Sequence, residues 1–143
     1  MSAYISTTLK RRVRTRFSNY CAYCHSPEVL TVSTFEIEHI VPLSVGGKTE
    51  FENLCLACPT CNRHKAFRQM AFDSSTGETV PLFNPQRQEW VEHFVWNETF
   101  TEIIGLTAVG RATISALKMN RIQLIRVRQM WVKMEKFPSL IEF

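Results

Sequence analysis

Two pairs of cysteines are the first residues of the sequence whose types and spacing could do chemistry. The pairs are Cys21-x-x-Cys24 and Cys58-x-x-Cys61, and residues 25–57 lie between them. A Cys-x-x-Cys turn presents two thiolates at a separation that suits one metal ion, and zinc prefers four such ligands in a tetrahedron. The four cysteines therefore predict a structural zinc site that brackets the segment between them.

The fifth cysteine leaves the pairing open, because Cys55-x-x-Cys58 is also a Cys-x-x-Cys sequence. We assign Cys55 to packing, since it lies in an apolar stretch, whereas the Pro-Thr interior of the Cys58–Cys61 pair is typical of a turn. A redox dithiol is the alternative, although the sequence around these pairs lacks the βαβ pattern of such proteins. His25 could replace one thiolate, but a surface position is the simpler interpretation when four cysteines are present.

A second set of polar residues lies around and between the cysteine pairs: Glu38-His39, Asn53 and Asn62. Taken singly, each has an ordinary explanation, as a structural histidine, a turn residue or a helix cap. Taken together, between and beside two predicted zinc knuckles, they form one constellation.

The elements that position these residues follow from the local patterns. Residues 6–19 have a helical period, with Leu9, Val13 and Phe17 four residues apart and Ser6 as a plausible cap. Residues 31–41 are rich in β-branched and aromatic residues, which favours a strand. A glycine-containing loop over 42–50, a second strand over 51–57 and a helix over 62–72 complete the predicted order.

The first predicted helix is basic, and the first acidic residue of the chain is Glu28. Such a cluster attracts phosphate backbones without sequence preference, while a solvated helix face is the alternative. The formal net charge of +4 adds little to this choice. The basic residues of the predicted helix are Lys10, Arg11, Arg12, Arg14 and Arg16.

The remainder of the chain is predicted to be an α+β extension beyond a boundary near residue 75. A loop or loose hairpin over 73–85 leads to strands over 89–96 and 101–106. Two helices follow, one capped by Thr107 and one opened by Asn120. On the last helix Leu124, Val127, Trp131 and Met134 mark an apolar face, and the residues expected on its exposed face are Arg121, Arg126, Arg128 and Lys133.

The stretch from Glu36 to Lys65 resembles the motif of the HNH nuclease family. An acid-His-Ile-x-Pro sequence, Gly46-Gly47, Asn-Leu and Cys-x-x-Cys-Asn-x-x-Lys occur in that order. The resemblance covers roughly residues 10–70, and residues after 75 lie outside it. It implies a ββα-metal finger braced by zinc knuckles, so the predicted nuclease domain spans residues 1–75 and the extension residues 76–143.

The resemblance also implies a role for each polar residue. His39 corresponds to the general base, Glu38 to the acidic metal ligand, and Asn53 to the asparagine that holds the histidine and its loop. Asn62 corresponds to the last motif position, where many relatives have histidine, so this is the HNN variant. The resemblance makes Glu38 and Asn62 the ligands of the catalytic ion, and a carboxylate with an amide oxygen favours Mg²⁺ or Mn²⁺. Glu38 is aspartate in most relatives, which moves its carboxylate one methylene further out. Further nucleic-acid contacts are expected from His64, Lys65 and Arg68.

The sequence therefore predicts a metal-dependent endonuclease that hydrolyses double-stranded DNA. A zinc-stabilised DNA-binding module without catalysis is the alternative, and a redox or metal-storage protein is a third. No run approaches the roughly 18 apolar residues that span a bilayer, and the N-terminus lacks the apolar core of a secretory signal. We therefore expect a cytoplasmic protein. A homodimer is compatible with the extension, whose role the sequence does not specify.

Overall fold

A computed structural model describes residues 4–137 and has the mixed α+β architecture that the sequence predicts. It divides into two compact units. Of the described residues, the first unit runs to Phe67 and includes Asn84–Arg87, and the second comprises Arg68–Phe83 and residues 88–137. The division thus falls earlier than residue 75. Among the described residues, no helix is long and apolar enough to cross a membrane.

Helix α1 spans Thr7–Arg16 and begins with the predicted cap, because the Ser6 hydroxyl accepts a 3.1 Å hydrogen bond from the Leu9 amide. Val13 and Phe17 from the predicted apolar stripe are buried. The helix ends before residue 19 because Ser18 and Asn19 adopt positive φ angles of 52° and 59°. Left-handed residues cannot continue a right-handed helix.

Strands β1 (Glu36–His39) and β2 (Leu54–Ala57) form an antiparallel pair in which Glu36 faces Ala57 and His39 faces Leu54. Both are shorter than predicted, since residues 31–35 form bends and irregular backbone, and a 3-10 turn at Phe51–Asn53 occupies the start of the second predicted strand. Every residue of β2 is buried. This strand is the core of the first unit.

Helix α2 spans Pro59–Lys65, with Cys58 as its N-cap and proline at its start. It ends at Ala66, whose φ is +49°. The predicted helix over 62–72 is therefore wrong in its second half. Residues there belong instead to β3 (Met70–Asp73), which pairs with β4 (Glu78–Pro81) as a hairpin.

The second unit continues with α3 (Trp90–His93), β5 (Phe94–Trp96), β6 (Ile103–Gly105), α4 (Ala108–Leu117) and α5 (Ile122–Lys133). Thr107 caps α4 as predicted, accepting from the Gly110 amide at 3.0 Å. The strand predicted over 89–96 begins as the short helix α3. Asn120 does not cap α5: its side chain bridges the amide and carbonyl of Ile103, both at 2.8 Å.

Arg128 corrects the predicted exposed face of the last helix. Its side chain is fully buried and donates to the carbonyls of Thr101 and Met119 at 3.0 and 2.9 Å. The guanidinium carbon lies 5.0 Å from the centre of the Trp96 ring. Met134, predicted on the apolar face, is 56% exposed instead. A long cationic side chain can be buried when main-chain carbonyls accept its hydrogen bonds.

Candidate active site and metal centre

The four cysteines predicted to bind zinc meet at the end of β2. The sulfur atoms of Cys21, Cys24, Cys58 and Cys61 all lie within 4.8 Å of one another, and all four residues are buried. Zinc–sulfur bonds of about 2.3 Å in a tetrahedron place the sulfurs about 3.8 Å apart. The Sγ atoms of Cys24 and Cys58 are 3.8 Å apart. The cluster therefore has the dimensions of a tetrahedral zinc site.

Hydrogen bonds around the cysteine cluster suit thiolate ligands. The Ser26 hydroxyl lies 3.1 Å from the Cys24 sulfur, and the Cys61 amide donates to the Cys58 sulfur at 3.4 Å. Donors of this kind orient metal ligands and offset their charge. His25 is half-buried and is not part of the four-cysteine cluster.

Cys55 is buried outside the cluster, as the assignment to packing requires. Its thiol lies 3.3 Å from Glu38 Oε2 and 3.7 Å from the Tyr23 hydroxyl. Burial raises the pKa of the Cys55 thiol well above its ordinary value, and the Glu38 charge adds to the rise. The side chain is therefore a neutral thiol in the core rather than a reactive thiolate.

His39 ends β1 in a half-buried position, where its Nε2 atom lies 2.9 Å from the Thr49 hydroxyl. Burial lowers the pKa of His39 below its usual value, and the nearby positive charge of Lys65 lowers it further. A lowered pKa favours the neutral ring, which is the form that a general base needs. Thr49 is a partner that the sequence did not indicate.

Asn53 binds the loop that follows His39 on both sides. Its Oδ1 accepts from the Val41 amide at 2.9 Å, and its Nδ2 donates to the carbonyls of Val41 and Lys48 at 3.0 and 2.9 Å. Its own carbonyl accepts from the Ile40 amide at 2.8 Å. These bonds tie the two ends of the loop together, which is the geometry expected of a residue that positions the histidine.

The two glycines of that loop have separate reasons to be glycine. Gly46 has a φ of +95°, which side-chain-bearing residues rarely adopt. Gly47 has no room for a side chain, because a Cβ atom there would lie 1.8 Å from the Val41 carbonyl oxygen. The turn that carries Thr49 back toward His39 therefore depends on both positions.

Glu38, expected to be an open metal ligand, is instead paired inside the protein. Its Oε1 lies 2.6 Å from Lys65 Nζ, and the two residues are 5% and 1% exposed. The lysine also donates to the Ile40 carbonyl at 2.9 Å. Burial raises the pKa of Glu38, and the Lys65 charge opposes part of that rise. This corrects the expectation that Lys65 offers its charge to a phosphate, because the ammonium has no solvent-exposed face.

Asn62 lies one turn before Lys65 on α2, and its side chain meets a different carboxylate. Its Nδ2 donates a 2.7 Å hydrogen bond to Oε1 of Glu36, and Glu36 is exposed. Glu36 and Glu38 are two residues apart on β1, so they share one face of the strand. The structure therefore brings Asn62 together with Glu36. Strand alternation could have marked Glu36 as a candidate, and the motif drew attention to Glu38.

The expected nucleic-acid contacts divide by exposure. Lys10, Arg11 and Arg12 are exposed on α1. Arg14 is half-buried and pairs with Glu28, and Arg16 donates to the Pro85 carbonyl at 3.3 Å. The first three therefore present charge to solvent, while the last two stabilise the fold. His64 is half-buried on α2, and Arg68 is exposed at the start of the second unit.

Comparison with known proteins agrees with this geometry. The family model of the HNH endonucleases matches residues 21–68. A Septu protein PtuB of Bacillus mycoides is 27% identical over 88% of this chain and 51% of its own length. A CRISPR-associated endonuclease Cas9 of Corynebacterium diphtheriae is 37% identical over 50% of this chain and 7% of its own length. No solved structure matches the chain.

The chain spans about half the length of the PtuB relative and a small part of the Cas9 relative. The matched segment begins at the first zinc-site cysteine, includes His39, Asn53 and Asn62, and ends three residues after Lys65. It coincides with the cysteine cluster and the β1–β2–α2 unit described above. Residues 21–68 of this chain therefore match an HNH endonuclease domain.

Proposed function

We propose that the chain is a metal-dependent endonuclease that hydrolyses DNA phosphodiester bonds, with His39 as the general base. The observation that carries the proposal is the position of His39 at the end of β1. There its Nε2 is bound to Thr49, and its pKa is lowered by burial and by Lys65. A neutral imidazole whose orientation is fixed is what the activation of water requires.

The tautomer in which His39 binds Thr49 decides which ring nitrogen takes the proton. If Nε2–H donates to the Thr49 hydroxyl, Nδ1 holds the free lone pair and accepts a proton from the attacking water. The water oxygen then bonds to phosphorus, the bond from phosphorus to O3′ breaks, O3′ takes up a proton from solvent, and His39 releases its proton to solvent. The products are a 5′-phosphate and a 3′-hydroxyl.

The remaining residues of the site hold this arrangement in place. Asn53 fixes the loop through three side-chain hydrogen bonds, and the cysteine cluster joins the N-terminal turn to the start of α2. A divalent ion, when bound by Asn62 and a carboxylate of β1, supplies positive charge to the phosphate and to the leaving O3′. Zinc on the four cysteines has a structural role, since four protein ligands leave no open position for substrate.

Substrate binding is assigned to the exposed charges of α1. The side chains that would contact phosphates are Lys10, Arg11 and Arg12. Their electrostatic attraction to the backbone does not depend on DNA sequence and weakens as the salt concentration rises. The DNA is taken to be double-stranded. Base recognition is left to other parts of the protein, because contacts to phosphates position a duplex but do not read its sequence.

The test is cleavage of supercoiled plasmid, single-stranded DNA and RNA with Mg²⁺, Mn²⁺ or EDTA. Wild type should convert plasmid DNA only when a divalent ion is present, and His39→Ala should abolish this while keeping its zinc and its Tm. Glu52→Gln, an exposed substitution in the same unit, is the control and should cut like wild type. Cleavage by His39→Ala at the wild-type rate would contradict the mechanism. DNA binding without cleavage on every substrate would favour the non-catalytic module.

A further inference from the structure

We propose that Glu36, and not Glu38, is the carboxylate that binds the catalytic ion together with Asn62. The inference rests on the proposed function, because it names a ligand of the ion that the nuclease would use. It departs from the resemblance, which implies this role for Glu38. The partners of the two carboxylates and their exposure both support Glu36 as the ligand in place of Glu38.

Two side-chain pairs join β1 to α2: the outer pair is Glu36 with Asn62, and the inner pair is Glu38 with Lys65. Glu36 meets Asn62 at 2.7 Å, and Glu38 meets Lys65 at 2.6 Å. The spacing of two residues on the strand matches the spacing of three on the helix, so each carboxylate has its own helical partner. If Asn62 holds the ion, the neighbouring carboxylate is that of Glu36.

The distance within the outer pair, Glu36 and Asn62, fits a hard ion. Ligand oxygens of Mg²⁺ lie 2.0–2.1 Å from the metal, so two adjacent oxygens of an octahedron are about 2.9 Å apart. The Glu36 and Asn62 side-chain tips are separated by 2.7 Å. An amide can donate from its NH₂ group to a carboxylate, or it can present its oxygen to a cation. Glu36 and Asn62 can therefore hydrogen-bond to each other without an ion and can bind an ion together when one is present.

The inner pair, Glu38 and Lys65, does not fit an ion. Lys65 holds a positive charge against the Glu38 carboxylate, and a divalent cation there would face electrostatic repulsion. If Glu38 turned away to a metal, the buried ammonium would lose its counter-charge, and burying an unpaired charge is strongly unfavourable. The Cys55 thiol at 3.3 Å is a further buried neighbour of this carboxylate. Glu38 is thus a positioning residue for the end of β1.

The surroundings of Glu36 are open to a substrate. Glu36 lines a groove of about 740 Å³ whose walls include Lys10 and Arg14 of α1 and the aromatic residues Tyr4 and Phe35. Tyr4 is 86% exposed. An ion on Glu36 would therefore lie at the edge of a groove that contains cationic side chains, where a phosphate and water can complete its coordination. Glu38 does not line this groove.

The test measures ion binding without substrate. Zinc-loaded full chain is titrated with Mn²⁺, and free Mn²⁺ is followed by electron paramagnetic resonance. Glu36→Gln should weaken Mn²⁺ binding by about 10-fold or more with an unchanged Tm, since loss of a ligand interaction has at least this effect. The Glu38→Leu/Lys65→Met double variant, which removes the inner pair without leaving a charge, should bind Mn²⁺ like wild type. Glu52→Gln is the matched carboxylate control.

Two outcomes overturn the inference. One is wild-type affinity in Glu36→Gln, and the other is loss of Mn²⁺ binding in a folded Glu38→Leu/Lys65→Met variant. Plasmid cleavage by wild type, measured in parallel, distinguishes failure of the ligand assignment from failure of the proposed function. If wild type cuts and Glu36→Gln retains full affinity, only the ligand assignment fails. If wild type neither binds Mn²⁺ nor cuts, the proposed function fails with it.

Discussion

Lys65 Nζ lies 2.6 Å from Glu38 Oε1 in the core of the nuclease domain, and neither residue is appreciably exposed. The lysine also binds the Ile40 carbonyl, so the pair fixes the chain immediately after His39. Each charge compensates the other in a place that water does not reach. The family motif contains both residues, and in this chain they fix the backbone beside His39, the proposed general base.

We predict that the two charges are more costly to remove singly than together. Lys65→Met should lower the free energy of unfolding by about 3–5 kcal/mol, because it leaves a buried carboxylate without a partner. The Glu38→Leu/Lys65→Met double variant should recover most of this loss. Urea unfolding of the zinc-loaded protein, followed by intrinsic fluorescence and circular dichroism, measures both. Equal destabilisation by the single and double variants would contradict a coupled buried pair.

We predict that Thr49 sets the orientation of His39. Thr49→Val keeps the shape of the side chain and removes the hydroxyl that lies 2.9 Å from Nε2. Cleavage should fall by roughly 10- to 100-fold in kcat with little change in KM, because the base is no longer held in its reactive orientation. Thr49→Ser keeps the hydroxyl and should restore most of the rate. A serine variant as slow as the valine variant would argue against the hydrogen bond.

We predict a pH–rate profile with its acidic limb below the usual histidine range. The pKa of His39 is lowered by burial and by Lys65, and the neutral ring is the active form in the proposed mechanism. The rate should therefore rise with pH through an apparent pKa below about 6.5 and be level at neutral pH. Profiles recorded with Mg²⁺ and with Mn²⁺ should share this limb. A limb that moves between the two ions would belong to the ion rather than to His39.

The sequence predicted those parts of the site that depend on local spacing. The two Cys-x-x-Cys pairs, the packing role of Cys55 and the capping by Thr107 agree with the structure because each follows from residues near one another in the chain. Asn53 also binds the loop after His39, while the role that the resemblance implies for it stays a prediction. These features need few assumptions about how distant segments pack.

Local spacing could not predict which of the two carboxylates, Glu36 or Glu38, is buried. Both face the same side of β1, and only the placement of α2 across that face decides which one is buried. Arg128 is a similar case, since its burial depends on carbonyls at Thr101 and Met119 that the α5 sequence does not contain. In both cases a charged side chain acquires its environment from a distant segment.

We predict that the four clustered cysteines bind one zinc ion per chain. Cys21→Ser should lower the zinc content measured by mass spectrometry and lower the Tm of the nuclease domain, because a structural zinc site contributes directly to folding. Cys55→Ala is the matched control, being buried but outside the cluster, and should retain one zinc per chain. Full zinc content in Cys21→Ser together with its loss in Cys55→Ala would reverse the assignment.

The last prediction concerns Asp73 in the second unit, whose carboxylate accepts from the Arg111 guanidinium at 3.0 and 3.1 Å. These hydrogen bonds hold the pKa of Asp73 at about 2, below its ordinary value of 3.8. A carboxylate with a lowered pKa stabilises the fold above its unfolded-state pKa, and the contribution is lost as pH falls toward the folded-state pKa. Asp73→Asn should therefore lower the Tm at pH 7. The difference from wild type should shrink between about pH 4 and pH 2. A Tm difference that stays constant through this range would show that the ion pair is not its cause.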